Sequence, residues 1–401
     1  MKINKNSVFM LLIQLVAFCV CLEKTSMKVL LLLVVLFGFF NGKYQILKSK
    51  TSWFKLSTTI LWLIPFIQLI LTSSLADYWP KIETKLSIIL IPLIILISLD
   101  LNKEILLKLL KLFLFGSILS CIICIINASF SFFISANYNS FFYQELSIFH
   151  HPSYFSMYLN FSIGLLYINF IKPIESFNIK RKLSLFLIIF LTLMTLLVSS
   201  KNGWATNIFL HSFFLVLFFK NKKFNIEYLS FIVLIIISLS LIKQIPSLKW
   251  RAKEFTKNIT NSSRSSTSST IARIIAWESA FELIKKRPLL GYGEGLSKIE
   301  LNKIYLKKGH TSILNLNAHN QFIQHQLDHG IIGTIFLLFF TIIMWFFSLI
   351  VKDYLYTLFL TIVIINFMTE SILETQSGIV FFALFNTLFF FNWIDRKRAL
   401  N

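Results

Sequence analysis

The sequence predicts an all-α membrane protein that crosses the bilayer about twelve times, with one long outer segment between the ninth and tenth helices. Three observations carry that prediction. Of 401 residues, 56% are hydrophobic and only 14% charged, with mean hydropathy +0.73. Soluble domains average roughly 25% charged residues, so an ordinary soluble enzyme and a disordered chain are both excluded. The apolar residues gather in unbroken runs, close to the ~20 residues a helix needs to cross ~30 Å of hydrocarbon, and the period-2 alternation of a transmembrane barrel does not recur. The lysines and arginines are divided unequally between alternate loops.

Twelve runs fit a span, at approximately 7–22, 27–41, 57–74, 86–101, 109–127, 154–171, 183–199, 204–219, 226–243, 331–351, 353–369 and 376–394. The first resembles a signal peptide, with Lys2 and Lys5 ahead of an apolar stretch. Glu23 and Lys24 follow it without an A-x-A site, so it reads as a retained helix. With the N-terminus inside, the inner side collects 20 Lys/Arg and the short outer loops five; the other 14 lie over 243–330, from the end of the ninth run onward. Short loops obey the positive-inside rule and long ones are exempt, so both termini are expected in the cytoplasm and 244–330 outside. The net charge of +21 would suggest nucleic acid in a soluble chain. Here it divides into +14 inside and +7 outside, chiefly an orientation signal, and no nucleic-acid partner is expected. The chain thus divides into helices one to nine (1–243), an outer subdomain (244–330), and helices ten to twelve with a basic tail (331–401). Cys19, Cys21, Cys121 and Cys124 all lie in apolar runs and read as packing residues, not a disulfide frame.

The outer segment carries the candidate chemistry. NSSRSSTSST (261–270), with Arg264, is either a flexible linker or a loop that orders on a ligand. It runs into the helical pattern IARIIAWESAFELIKK (271–286), for which Ser269 or Thr270 is a natural N-cap. Arg273 then falls in the first turn, where a cation opposes the helix dipole. An anion held by free N–H groups and the guanidinium explains the placement; a neighbouring carboxylate, or stacking on Trp277, explains it equally. PLLGYGEG (288–295) supplies Pro288, Gly291, Tyr292 and Gly293; no βαβ pattern surrounds it, so it is a turn rather than a dinucleotide fingerprint. AHNQFIQHQLDHGIIG (318–333) leads into the tenth span. His319 could accept a proton from a hydroxyl, beside Asn320. His325 and His329 have the i,i+4 spacing of a metal pair, yet no H-E-x-x-H and no third ligand accompany them, so no metal is expected. Elsewhere His150-His151-Pro152 opens the sixth span, and Lys201 in SSKNGW could meet a lipid phosphate or simply snorkel.

Together these residues resemble the O-antigen ligase and polymerase superfamily, bacterial membrane glycosyltransferases that use undecaprenyl-pyrophosphate-linked sugars. The resemblance rests on His319-Asn320 followed after nine residues by Gly330-x-x-Gly333, preceded by Arg273-x-x-x-Trp277 and Pro288-x-x-Gly291-x-Gly293. It implies metal-independent, cofactor-free transfer at the outer face of the inner membrane. The donor would be a glycan on undecaprenyl pyrophosphate and the acceptor a glycolipid hydroxyl such as lipid A core, with membrane lipids around both. His319 would activate the acceptor, and Arg273 would bind the pyrophosphate. Tyr292, Asn320 and His151 are further candidates for substrate contact. A second arginine usual in the family is matched by Lys201, with Arg264 as a possible replacement; Lys supplies charge without a bidentate fork. Polymerase and protein O-oligosaccharyltransferase activities fit the same motifs. A polysaccharide or lipid transporter would instead show ionisable residues inside its spans or a two-half repeat, and neither stands out.

Overall fold

The computed structural model describes residues 5–22, 24–42, 50–72, 75–220, 240, 248–249 and 269–398. Arg264 and nearly all of the ninth predicted span lie outside the described residues. No strand occurs among those described. The helices, in chain order, are α1 (Lys5–Cys19), α2 (Lys24–Asn41), α3 (Lys50–Thr72), α4 (Leu75–Ser98), α5 (Lys103–Ser135), α6 (Tyr143–Leu146), α7 (Pro152–Ile171), α8 (Arg181–Leu197), α9 (Lys201–Lys220), α10 (Ser269–Lys286), α11 (Glu294–Lys307), α12 (Gln321–Leu338), α13 (Met344–Ile350), α14 (Tyr354–Phe367) and α15 (Gln376–Arg398).

Among the described residues, four helical stretches are long and apolar enough to cross a membrane: Lys103–Ser135, Pro152–Ile171, Gln321–Ile350 and Gln376–Arg396. Shorter apolar helices cover Ser7–Cys19, Lys28–Phe40 and Tyr354–Phe367. Helix bounds differ from the predicted spans in an instructive way. α4 begins at Leu75, well ahead of residue 86, and α5 continues to Ser135, past residue 127. Hydropathy reports membrane depth, whereas a helix continues wherever its backbone is satisfied, so the charged stretch at 77–85 stays helical, and so does the Ser- and Phe-rich 128–135. The outer loop expected over 128–153 is shortened accordingly.

The chain forms two compact units. One comprises residues 17–24 and 107–261. Its described part is built on α7, whose length is almost wholly buried, with α8 and α9 packed against it. Small polar groups carry its interior contacts: Asn160 Nδ2 donates to the Gly203 carbonyl (3.1 Å), and Asn207 Nδ2 to Asn160 Oδ1 (3.0 Å). His211, inside the eighth predicted span, bonds Tyr167 Oη through Nδ1 and Thr192 Oγ1 (3.1 Å) through Nε2. An ionisable side chain therefore does lie inside a span. The four cysteines are all free thiols.

The other unit comprises 1–16, 25–106 and 262–401. Its centre is α15, buried along its apolar length between α4, α14 and α3. Much of the chain's phenylalanine is spent here: Phe359 of α14 meets Phe381 and Phe389 of α15, each at 5.5 Å between ring centroids, in the tilted geometry aromatic pairs prefer. Charges collect at the two ends of α15, about 30 Å apart. Near its C-terminus Lys55 pairs with Asp395 (2.7 Å) and Arg396 with Asp353 (3.1 Å). The segment leading into its N-terminus holds Glu370 and Glu374, and the candidate site forms there.

Candidate active site

The site is assembled on α10. Its buried face, Ile271, Ile275, Ala276, Ala280 and Leu283, packs with Leu301, Ile304, Tyr305 and Leu327 into one apolar cluster. That packing fixes the opposite face. Trp277 Nε1 donates to the Ala318 carbonyl (2.6 Å), tying α10 to the residue before His319. His319 itself sits at φ 43°, in the left-handed region that few non-glycine residues occupy and that tends to mark functional positions. Its N–H donates to Asn317 Oδ1 (3.0 Å). Asn320 caps α12, accepting from Phe322 N and Ile323 N, and its Nδ2 donates to the Met368 carbonyl (3.0 Å).

The decisive partner is Glu370, between α14 and α15. One carboxylate oxygen lies 3.0 Å from His319 Nδ1 and the other 2.8 Å from Arg273 Nη2. Glu370 is almost fully buried, while His319 and Arg273 each leave about a quarter of the side chain open (27% and 25%), so both remain reachable. The carboxylate requires a proton on Nδ1, which leaves Nε2 with its lone pair available. Of the three explanations for the cation near the start of α10, the neighbouring carboxylate is the one observed; the helix begins at Ser269, which puts Arg273 just past its first turn. The segment bearing Glu370 is held from α12, where Gln321 Oε1 accepts from Leu373 N (2.7 Å).

The glycine motifs meet each other rather than a ligand. Tyr292 N and Gly293 N donate to the carbonyls of Leu327 (2.9 Å) and Asp328 (2.7 Å), and Ile331 N donates to Pro288 O (2.9 Å). α12 is kinked at Gly330 (φ 63°, ψ −166°), a conformation open essentially to glycine. A Cβ on Gly330 would collide with the backbone of Leu289, and one on Gly291 (φ 67°) with that of Asp328. Pro288–Gly293 and Leu327–Ile331 thus form a backbone clasp. Tyr292 is buried beneath Arg287, whose guanidinium lies 4.8 Å from its ring centroid. Gly333 sits against the His329 side chain.

Behind the clasp lies a second charged group. Lys85 Nζ contacts Glu294 Oε1 (2.7 Å) and Glu374 Oε1 (2.8 Å), and His329 Nε2 lies 3.2 Å from Glu294 Oε1. Burial pushes the Glu294 carboxyl up, but the Lys85 charge and the His329 hydrogen bond outweigh it and hold the carboxyl below its usual range. Glu374 goes the other way: burial, with the charges of Glu294 and Asp328, outweighs Lys85 and Lys81 and lifts it to about 7.

The segment 185–338 matches the family model described as O-antigen ligase. The matched segment is similar to the O-antigen ligase family. No curated protein matched it. With its membrane-length helices, this is a multi-pass bacterial membrane protein of O-antigen ligase or polymerase type. The matched segment contains every motif residue from Lys201 to Gly333, and Glu370 lies beyond its end. Of the motif residues, Arg273, Trp277, His319 and Asn320 come together. Lys201 and His151 belong to the other unit: Lys201 opens α9, and His151 caps α7, accepting from Ser153 N (3.4 Å). Sequence reasoning missed Glu370, Lys85, Glu294 and Glu374. Acids in outer loops are ordinary, and only their burial beside named cations sets these apart.

Proposed function

We propose that this protein transfers a glycan from undecaprenyl pyrophosphate to an acceptor hydroxyl, lipid A core or a similar glycolipid, at the outer face of the inner membrane, with both termini in the cytoplasm. The observation that carries the reading is the part-open His319–Glu370–Arg273 group. Glu370 fixes the imidazole so that Nε2 accepts the proton of the attacking hydroxyl, and it steadies the resulting cation. The Arg273 guanidinium has donors beyond the one spent on Glu370, and these bind the pyrophosphate and stabilise the charge it gathers on departure. Pyrophosphate so neutralised needs no acid to protonate it, so the carboxylate pair of a glycoside hydrolase has no counterpart to fill. Lys201 and Arg264 are the residues proposed for a second phosphate contact, with Asn320 and His151 near substrate.

Two features support a lipid-borne donor. An open cleft of about 730 Å³ is walled by Pro65, Ile67, Leu289, Leu290 and Ile332, with Arg287 as its cation, a lining that suits an isoprenoid tail with an anionic head. The ion pairs at the two ends of α15 also agree with the proposed sidedness, since Lys55 and Arg396 fall on the proposed inner side and Arg273 on the outer. A deletion strain tests the reading. Free lipid core with long carrier-linked polymer is the expected outcome; a single repeat unit on the core indicates a polymerase, and unaltered surface glycans would remove the proposal.

A further inference from the structure

The group around His329 contains an electrostatic mismatch. Gln68 Nε2 donates to the Leu290 carbonyl, which turns Gln68 Oε1 toward His329 Nδ1 at 2.7 Å. An amide oxygen cannot donate, so Nδ1 carries the hydrogen. In the neutral ring Nε2 then has only a lone pair, and it faces Glu294 Oε1 at 3.2 Å. The neutral ring thus sets two acceptors against each other, whereas the protonated ring donates to Oε1, in a pocket where both side chains are 2% exposed. Lys85 meets Oε1 from another side. The second oxygen, Glu294 Oε2, is buried with no hydrogen-bond partner. Asp328 is beside them: one donor-type atom from each of Glu294, Asp328 and His329 lies within 4.8 Å of the other two.

Glu294, Asp328 and Glu374 bring three carboxyl groups; Lys85 and Lys81, whose Nζ lies 2.9 Å from the Glu294 carbonyl, bring two ammoniums. The group is left short of positive charge while the His329 ring is neutral, and a bound cation would supply it and would engage the Nε2 lone pair and the unpartnered Oε2 together.

We propose that Glu294, Asp328 and His329 bind a divalent transition-metal cation through Oε2, a carboxylate oxygen and Nε2. One imidazole with two carboxylates suits Zn²⁺ or Mn²⁺. A tetrahedral ion with ligands at about 2.1 Å holds them about 3.4 Å apart, so the three side chains close by roughly an ångström. The orienting partners that metal ligands require are in place. Gln68 holds the His329 ring, and Gln324 Nε2 donates to both Asp328 oxygens (3.0 and 2.9 Å). Asp328 and His329 immediately precede the Gly330 kink, and Glu294 opens α11 just after Gly293. The ion therefore staples the two halves of the glycine clasp. Its role is structural, apart from the His319 group. His325, the i,i+4 neighbour whose ring centroid lies 4.5 Å from that of His329, is not among the three.

The test uses the full chain in detergent or nanodiscs. Metal content is measured by mass spectrometry, and the melting temperature is followed after chelation and after adding back Zn²⁺ or Mn²⁺. One tightly held ion per chain is expected, with the melting temperature falling on chelation and returning with the ion. Asp328→Asn and His329→Gln should lose the ion. Should those variants fail to fold, X-ray absorption on the zinc-loaded wild type decides, with nitrogen and oxygen ligands including one imidazole expected. No uptake with no thermal shift, wild-type metal content in a folded His329→Gln, or sulfur ligation pointing to the cysteines would each overturn the proposal.

Discussion

His319 and His329 lie ten residues apart, on either side of the first turns of α12, and each makes the same kind of group. His319 pairs with Glu370, which pairs with Arg273; His329 pairs with Glu294, which pairs with Lys85. The chemistry is alike and the access is opposite. About a quarter of His319 and of Arg273 is open, whereas His329 and Glu294 are sealed. An open group can receive a hydroxyl and a phosphate and exchange protons with them. A sealed one must satisfy its charges internally, so it stabilises the fold. Residue type nominated both histidines, and burial separates their roles.

The comparison can be broken from either side. Lys85→Met removes one partner of a buried ion pair and should cost about 3–5 kcal/mol of stability, read as a large fall in melting temperature. An unchanged melting curve would mean that the sealed group carries no structural load. Glu370→Gln preserves shape but removes the charge that steadies an imidazolium, and transfer should fall about 100-fold with the melting temperature nearly kept. If stability fell and the residual rate did not, the two groups would have the same role. Arg273→Lys retains the charge but loses the planar fork, and a roughly tenfold loss in kcat/KM is expected in donor titrations. The smallest effect is with pH. Glu374, facing Lys85, Lys81, Glu294 and Asp328, titrates at about 7 against an ordinary value of 4.5. A carboxyl raised on folding contributes stability at low pH that is lost as pH rises through 7. The protein should therefore melt at a lower temperature at pH 8 than at pH 6, and Glu374→Gln should flatten that dependence.

Much of this was legible in the sequence because hydropathy and glycine act locally. The α10 pattern over 271–286 follows from its apolar spacing, although the helix takes in both Ser269 and Thr270, the caps the sequence offered. The capping of α12 by Asn320 was not read from the sequence. Helix length in α4 and α5 was not legible, since polar residues end an apolar run without ending a helix. Pairings across long separations were hidden for a different reason. Glu370 is 51 residues from His319 and 97 from Arg273, and no periodicity connects them. The glycines of 288–293 read as a turn by themselves because they supply only half of a clasp, whose other half is at Gly330. Lys85, in a polar stretch just ahead of a predicted span, carries no motif, and its two carboxylates, Glu294 and Glu374, lie far along the chain.

The most direct test reconstitutes the purified protein with a polyprenyl-pyrophosphate glycan and a glycolipid acceptor, and measures transfer and melting temperature on the same samples of wild type and His319→Ala. The account predicts transfer lowered 10²- to 10⁴-fold, a range of about 3–5 kcal/mol in the barrier, with the melting temperature essentially retained. Transfer at the wild-type rate by a folded His319→Ala protein would contradict it.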